Sequence, residues 1–253
     1  MLIDTHCHLF FDYYDDIDEV IMRAKSEGIG MIIVNGIDRK SNEEVLNLVK
    51  KYDIVYGALG IQPQEVNNCN DNDILFIDKH INDDKIIAIG EIGLDYHYEC
   101  DRELQKKYFI KQLELANKYN KPVIIHSRDC INETYNILKE YNVKGIMHCY
   151  SGSVEMARKF NQIGFLIGIG GIATFKNAVK VIEVIKNIDL EYIVLETDSP
   201  YLSPEPYRGS RNEPRNIKII MEKICNIRGI EYNELSRIVQ FNVVRLFDKY
   251  LNL

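Results

Sequence analysis

The chain has no tryptophan, six prolines and six cysteines among 253 residues, and no apolar run approaching the length of a membrane span. A spanning helix needs ~20 mostly apolar residues, so an integral helical membrane protein is excluded. Met1 leads directly into "LIDTHCHL", without a basic segment and an apolar stretch, so neither a signal peptide nor a membrane partner is expected and the compartment reads as cytoplasmic. Cys7, Cys69, Cys100, Cys130, Cys149 and Cys225 are scattered without CxxC spacing. They are expected as free packing thiols rather than as a disulfide framework or a structural zinc site. A basic excess is missing as well, because 31 Lys and Arg stand against 38 Asp and Glu for a net charge of -7. Holding a polyanion by global electrostatics is thereby excluded, and any phosphate binding has to be local. Bound dications could supply it, as could Glu205 to Arg228, where six Lys/Arg outnumber three Glu.

No Pro/Gly/Ser-rich linker or low-complexity tract divides the chain, and 46% hydrophobic residues suffice for a sizeable core. Eight short apolar runs recur: Leu2 to His6, Met31 to Asn35, Ile54 to Ile61, Ile86 to Gly90, Val123 to His126, Gly145 to His148, Phe165 to Ile169 and Tyr192 to Glu196. They are near-continuous rather than alternating, which is the pattern of parallel strands covered on both faces. Segments of helical period lie between them, including Ser41 to Lys50, Arg102 to Tyr119 and, last, Asn233 to Lys249. Strand then helix, repeated eight times, predicts an α/β protein, a (β/α)8 TIM barrel occupying residues 1–253 as a single domain, with an open doubly wound sheet as the alternative.

Metal-binding residue types fall at the ends of these runs. His6 and His8 are two apart at the end of the first strand and so point to one side of it. Glu91 follows the fourth run, His126 and His148 close the fifth and sixth, and Glu196 and Asp198 follow the eighth. Carboxylates in such places need partners or a metal. In a closed barrel all these ends meet at the face where barrel active sites lie. Four histidines with Glu91 and Asp198 suit one or two divalent ions, with zinc, nickel, manganese and magnesium all compatible. A single ion leaves ligands idle; two ions use all six, one carboxylate bridging and a water held between them. His80, in "FIDKHIND", is expected at the surface. His97, just beyond Glu91, is placed to touch substrate. "GIGGIATFKNA" lacks the spacing of a dinucleotide fingerprint, so its glycines are expected to permit close backbone approach instead.

Taken in order, "DTHCHL", "GEIGLDY", "IHSRD", "HCYSG", "TFKNA", "ETDSPYL" and "RGSRNEP", with the tail "NVVRLF", resemble the TatD family of metal-dependent deoxyribonucleases, within the amidohydrolase-like barrels. The resemblance covers nearly the whole chain. It implies that His6, His8 and Asp198 bind one metal, that His126 and His148 bind the second, and that Glu91 bridges them. It implies catalytic roles for Asp198, which orients or deprotonates the attacking water, and for Glu91. The implied reaction is hydrolysis of a phosphodiester by a metal-bound hydroxide, with nucleic acid as substrate, DNA ahead of RNA, and no obligate protein partner. Arg128, Arg208 and Arg211 are candidate phosphate contacts, since guanidinium offers a bidentate fork. Tyr150 and Tyr201 could stack on a base. The chain departs from the family at "GIQPQ", where members often carry GxHP: Gln62 cannot donate a proton near neutral pH as imidazolium can, so altered substrate handling is expected there. Two other functions compete with the nuclease. The same binuclear chemistry serves barrel hydrolases of small-molecule C–N, lactone or phosphoester bonds, and a catalytically weak metal-binding protein is the third reading.

Overall fold

A computed structural model describes residues 1–251. Eight parallel strands form one sheet in sequence order: β1 (Leu2–Cys7), β2 (Ile29–Asn35), β3 (Val55–Leu59), β4 (Ile86–Asp95), β5 (Val123–Arg128), β6 (Gly145–Met147), β7 (Phe165–Ile169) and β8 (Ile193–Leu195). Helices α1 (Ile17–Ser26), α2 (Arg39–Lys51), α3 (Asp71–His80), α4 (Arg102–Tyr119), α5 (Ile131–Leu138), α6 (Val154–Gln162) and α7 (Val179–Asn187) alternate with them, and α8 (Ile217–Arg228) and α9 (Tyr232–Phe247) follow β8. No described helix is long and apolar enough to cross a membrane.

The sheet order never reverses, so the doubly wound alternative is set aside. The last strand returns to the first: Thr5 Oγ1 donates to Leu195 O (3.0 Å), the Asp198 N–H to His6 O (2.9 Å) and the His8 N–H to Ser199 O (2.7 Å). The chain is the (β/α)8 barrel that the alternating pattern predicts.

Two compact units are distinguished by internal contacts. The first comprises Met1–Val34, Cys149–Gln162 and Leu166–Arg245; the second comprises Asn35–His148, Ile163–Phe165 and the segment from Leu246. In the first, β1 pairs with β2 through Ile3↔Met31 and Asp4↔Ile32, and β7 with β8 through Gly168↔Val194. In the second, β3 pairs with β4 through Ala58↔Ala88, and β4 with β5 through Gly93↔His126 and Asp95↔Arg128. Every residue of β1 and β4 is buried, as parallel strands covered on both faces require.

Strand four is longer than its apolar run. It was expected to stop at Gly90 but continues through Glu91 to Asp95, because after a register shift between Ile89 and Ile92 pairing with β5 resumes over "IGLD". Glu91 is therefore inside a strand rather than beyond its end. Strands six and eight are shorter than expected, ending at Met147 and Leu195, so His148, Glu196 and Asp198 sit on the turns that follow.

Helix α4 has the boundaries its periodicity predicts. Asp101 accepts the Leu104 N–H at its start, and Asn120 stops it in the left-handed region with φ of 54°. Its buried face carries Phe109, Leu113 and Ala116, and also Gln112. Gln112 Oε1 accepts the Ile61 N–H (2.7 Å) while Nε2 donates to Ile61 O (3.1 Å), pinning the turn that leaves β3. Gln112→Leu strands two buried backbone groups and should cost about 2–4 kcal/mol of stability, measured by urea denaturation. A loss below about 0.5 kcal/mol would show that water replaces the amide.

Candidate metal centre

In the first unit the site is built where β1 and β8 end. His6 is fully buried in β1 and His8 follows it, so alternation along the strand turns both rings to one side. Their Nε2 atoms lie 3.2 Å apart, with the rings nearly perpendicular at 85°. Asp198 Oδ1 is 3.7 Å from His6 Nε2 and 3.6 Å from His8 Nε2. Ligands bonded at ~2.1 Å around a tetrahedral zinc stand about 3.4 Å from one another, so these three separations bracket the edge of a coordination sphere. Two imidazoles and a carboxylate also make a donor set that divalent transition ions accept. The residues fit a cation.

The backbone explains how Asp198 gets there. It adopts φ of 55°, uncommon for a residue with a side chain, and is held in it by its N–H to His6 O and by its own carbonyl, which accepts the Tyr201 N–H (2.8 Å). Behind the ligands lies Asp4, fully buried, which accepts from the backbone N–H groups of Thr197 (2.9 Å) and His6 (3.3 Å) and from the Thr197 hydroxyl. Burial pushes the Asp4 carboxyl up to about 7 against the pull of these donors. Glu196, also buried, accepts the Cys149 N–H on Oε1. A Cβ on Gly168 would stand 2.5 Å from Glu196 Oε2, so this glycine makes room for the carboxylate, in line with the close approach expected of that stretch.

In the second unit Glu91, His126 and His148 come from β4, β5 and the turn after β6. His126 Nδ1 lies 2.9 Å from Glu91 Oε1, and its Nε2 lies 3.0 Å from Asp95 Oδ2. Carboxylates only accept, so the metal-free ring donates from Nε2 to Asp95 and from Nδ1 to Glu91, and Nδ1 is the nitrogen whose proton a cation beside Glu91 would replace. Burial pulls the His126 ring down, but its bonds to Asp95 and Glu91 outweigh that and hold it up at about 9. Burial likewise raises Asp95, and its bonds to His126, Gln64 and the His97 N–H bring it down to about 2. The His148 ring stacks on His126 at 6.2 Å and 30°.

The remaining expected residues are more scattered. Gln62 lies partly buried in the turn after β3, its N–H donating to Ile37 O (2.9 Å). His97 is exposed and paired through Nδ1 with Asp129 (2.9 Å). His80 is partly buried at the end of α3 and paired with Asp83 (2.7 Å). Tyr201 is half exposed, its ring 6.1 Å from that of His8 and its hydroxyl bonded to Tyr13. Tyr150 is buried with its hydroxyl on Ser153 O, a packing residue that cannot stack on a base. Arg208 lies over the Phe175 ring, Arg128 over Tyr98, and Arg211 donates to Tyr13 O. Elsewhere in the basic segment Arg215 pairs with Glu213 and Lys218 with Glu27, so much of its charge is neutralised within the chain.

Asp4 and Asp95 were not anticipated, and Gln64 stands out in the sequence only as the second amide of "GIQPQ". A signal for Asp95 existed: it is the second acid of "EIGLD", four residues after Glu91 on one strand, and both carboxylates reach the His126 ring.

A family model described as "TatD related DNase" matches residues 3–248. The chain is 41% identical to the uncharacterized metal-dependent hydrolase YabD of Bacillus subtilis, over 98% of this chain and 99% of that one. It is 32% identical to the uncharacterized metal-dependent hydrolase YcfH of Escherichia coli, over 97% and 95%. The crystal structure of YjjV, a TatD homologue from E. coli, superposes with a TM-score of 0.93 at 32% identity, covering 98% of each chain. Organophosphorus hydrolase is similar in fold alone, at 13% identity and a TM-score of 0.63.

Because the metal-free His126 ring holds both protons up to about pH 9, a cation at Nδ1 must displace one. Zinc binding at this ring should therefore release one proton near neutral pH and tighten as pH rises toward about 9. Calorimetry in buffers of different ionisation heat measures both effects. Binding with no proton release and no pH dependence across that window would contradict the geometry.

Proposed function

Because the chain belongs to the TatD-related DNase family and is a metal-dependent hydrolase, we propose that it is a deoxyribonuclease cleaving phosphodiester bonds at DNA ends or in single strands. The observation that carries the reading is the His6–His8–Asp198 cluster, three buried donor atoms spaced as the edges of a cation's coordination sphere. One divalent ion is assigned to that cluster. The family resemblance assigns a second to His126 and His148 and would make Glu91 a further ligand beside His126. When bound, such ions act as Lewis acids on a phosphoryl oxygen and lower the pKa of a water.

The side chains then have distinct tasks. Asp198 orients the attacking water and takes its proton; its constrained backbone keeps Oδ1 facing both imidazoles. His6 and His8 act as neutral ligands through Nε2, and the Asp4–Thr197 network braces the strand ends that carry them. Tyr201, half exposed beside His8, offers a face to a base, worth about 1–3 kcal/mol if stacked. Arg128, Arg208 and Arg211 are assigned to flanking phosphates. Local contacts of this kind let a chain of charge -7 act on a polyanion.

Labelled single-stranded DNA, duplex DNA and RNA, each incubated with Mg²⁺, Mn²⁺ or Zn²⁺ and with chelator, test the reading. Metal-dependent cutting of DNA is expected, with Asp198→Ala slowing it by about 100-fold or more. Cutting that persists in chelator, or that survives Asp198→Ala undiminished, contradicts the chemistry. Hydrolysis of small esters or lactones with no nucleic acid cut would transfer the same centre to a different substrate class.

A further inference from the structure

The turn after β3 carries this chain's departure from the family pattern, two glutamines in "GIQPQ", and the second of them reaches the metal centre. Gln64 Nε2 donates to Asp95 Oδ2 at 2.9 Å, and the same oxygen receives His126 Nε2 at 3.0 Å. The other oxygen, Oδ1, accepts the His97 N–H at 3.0 Å. Gln105, buried in α4, fixes the Asp95 backbone from behind: its Oε1 accepts the Asp95 N–H (2.9 Å) and its Nε2 donates to Asp95 O (3.0 Å).

We propose that Gln64 and Asp95 are positioning residues of the second ion site. Gln64 holds the Asp95 carboxylate in the rotation that receives His126 Nε2, so that Nδ1 is left facing Glu91 as the atom for a divalent cation. The inference rests on His126 being a ligand of the second ion, as proposed above.

The geometry gives each residue a separate duty. Asp95 is 1% exposed, so its charge needs several donors, and it has three, from the turn after β3, from its own strand's end and from β5. The backbone donor reaches only Oδ1. Without the Gln64 amide, Oδ2 is held by the imidazole alone, and the carboxylate can turn about its Cβ–Cγ bond and carry the ring with it. An imidazole whose far nitrogen is held by a carboxylate is both fixed in tautomer and made a better ligand. Gln64 itself is exposed, so substituting it removes an amide donor without opening the core.

The test is a Zn²⁺ titration against a competing chelator, on the full chain, for wild type, Gln64→Leu, Gln64→His and Asp95→Asn. Wild type should bind in two steps. Asp95→Asn, whose amide can donate to Nε2 and so favour the wrong tautomer, should weaken the second step by about 10- to 100-fold. Gln64→Leu should weaken it by about threefold to tenfold, since it removes one hydrogen bond to a charged group. Gln64→His, which can restore an N–H donor, should recover most of the loss. The first step, at His6, His8 and Asp198, should not move. Side-chain ¹⁵N spectra of the zinc-loaded protein should place the His126 proton on Nε2 in wild type and in Gln64→His, with that signal weakened in Gln64→Leu and Asp95→Asn.

A single zinc per wild-type chain would remove the two-ion function and this inference together. Two steps in wild type, with neither the second step nor the His126 spectrum altered in Gln64→Leu, would overturn the positioning role of Gln64 while leaving the function intact. Equal weakening of both steps would also overturn it, as a general loss of fold rather than a directed contact.

Discussion

A polar side chain that ends a buried strand must be given a partner, and most features of this centre follow from that one requirement. His6, Glu91 and Asp95 lie within fully buried strands, and burying an unpaired carboxylate costs several kcal/mol. The fold answers in two ways. Around Asp4 and Asp95 it supplies backbone, hydroxyl, amide and imidazole donors, so these acids stay in place without a metal. At His6, His8 and Asp198 it supplies three acceptor-capable atoms within 3.7 Å of one another, an arrangement that a cation fits.

The two kinds of carboxylate divide the work. Those with full sets of donors, Asp4 and Asp95, stand behind the histidines and hold backbone or ring; Glu91 and Asp198 face the imidazole nitrogens that would carry an ion. Local backbone geometry maintains the division. Asp198 leaves β8 in a left-handed conformation that turns its carboxylate toward β1, and Gly168 leaves space for the Glu196 side chain, which caps the Cys149 N–H instead of joining the ligands.

Much of this was legible in the sequence. Near-continuous apolar runs with Ile and Val specify covered parallel strands, and residue types able to bind a metal fall at or just beyond their ends. What escaped has a common cause. Apolar-run length ended the fourth strand at Gly90, because the polar Glu91 breaks the run; only pairing with β5 shows that the strand continues and brings Asp95 to the His126 ring. Gln62 drew notice by its place in the family motif, whereas Gln64 makes the observed contact, a tertiary hydrogen bond across 31 residues that no local pattern encodes. Tyr150 was offered as a stacking residue by its neighbourhood in the chain, but burial against Phe160 commits it to the core.

The proposed function assigns two divalent ions to six residues at defined atoms. Crystals grown with Zn²⁺ and measured on both sides of the zinc absorption edge locate the ions directly. Two anomalous peaks are predicted. One should lie about 2.0–2.2 Å from His6 Nε2, His8 Nε2 and an Asp198 oxygen, and the other at similar distance from His126 Nδ1, His148 and a Glu91 oxygen. A single peak, or a peak at His126 bonded through Nε2 with Asp95 displaced, would contradict the account.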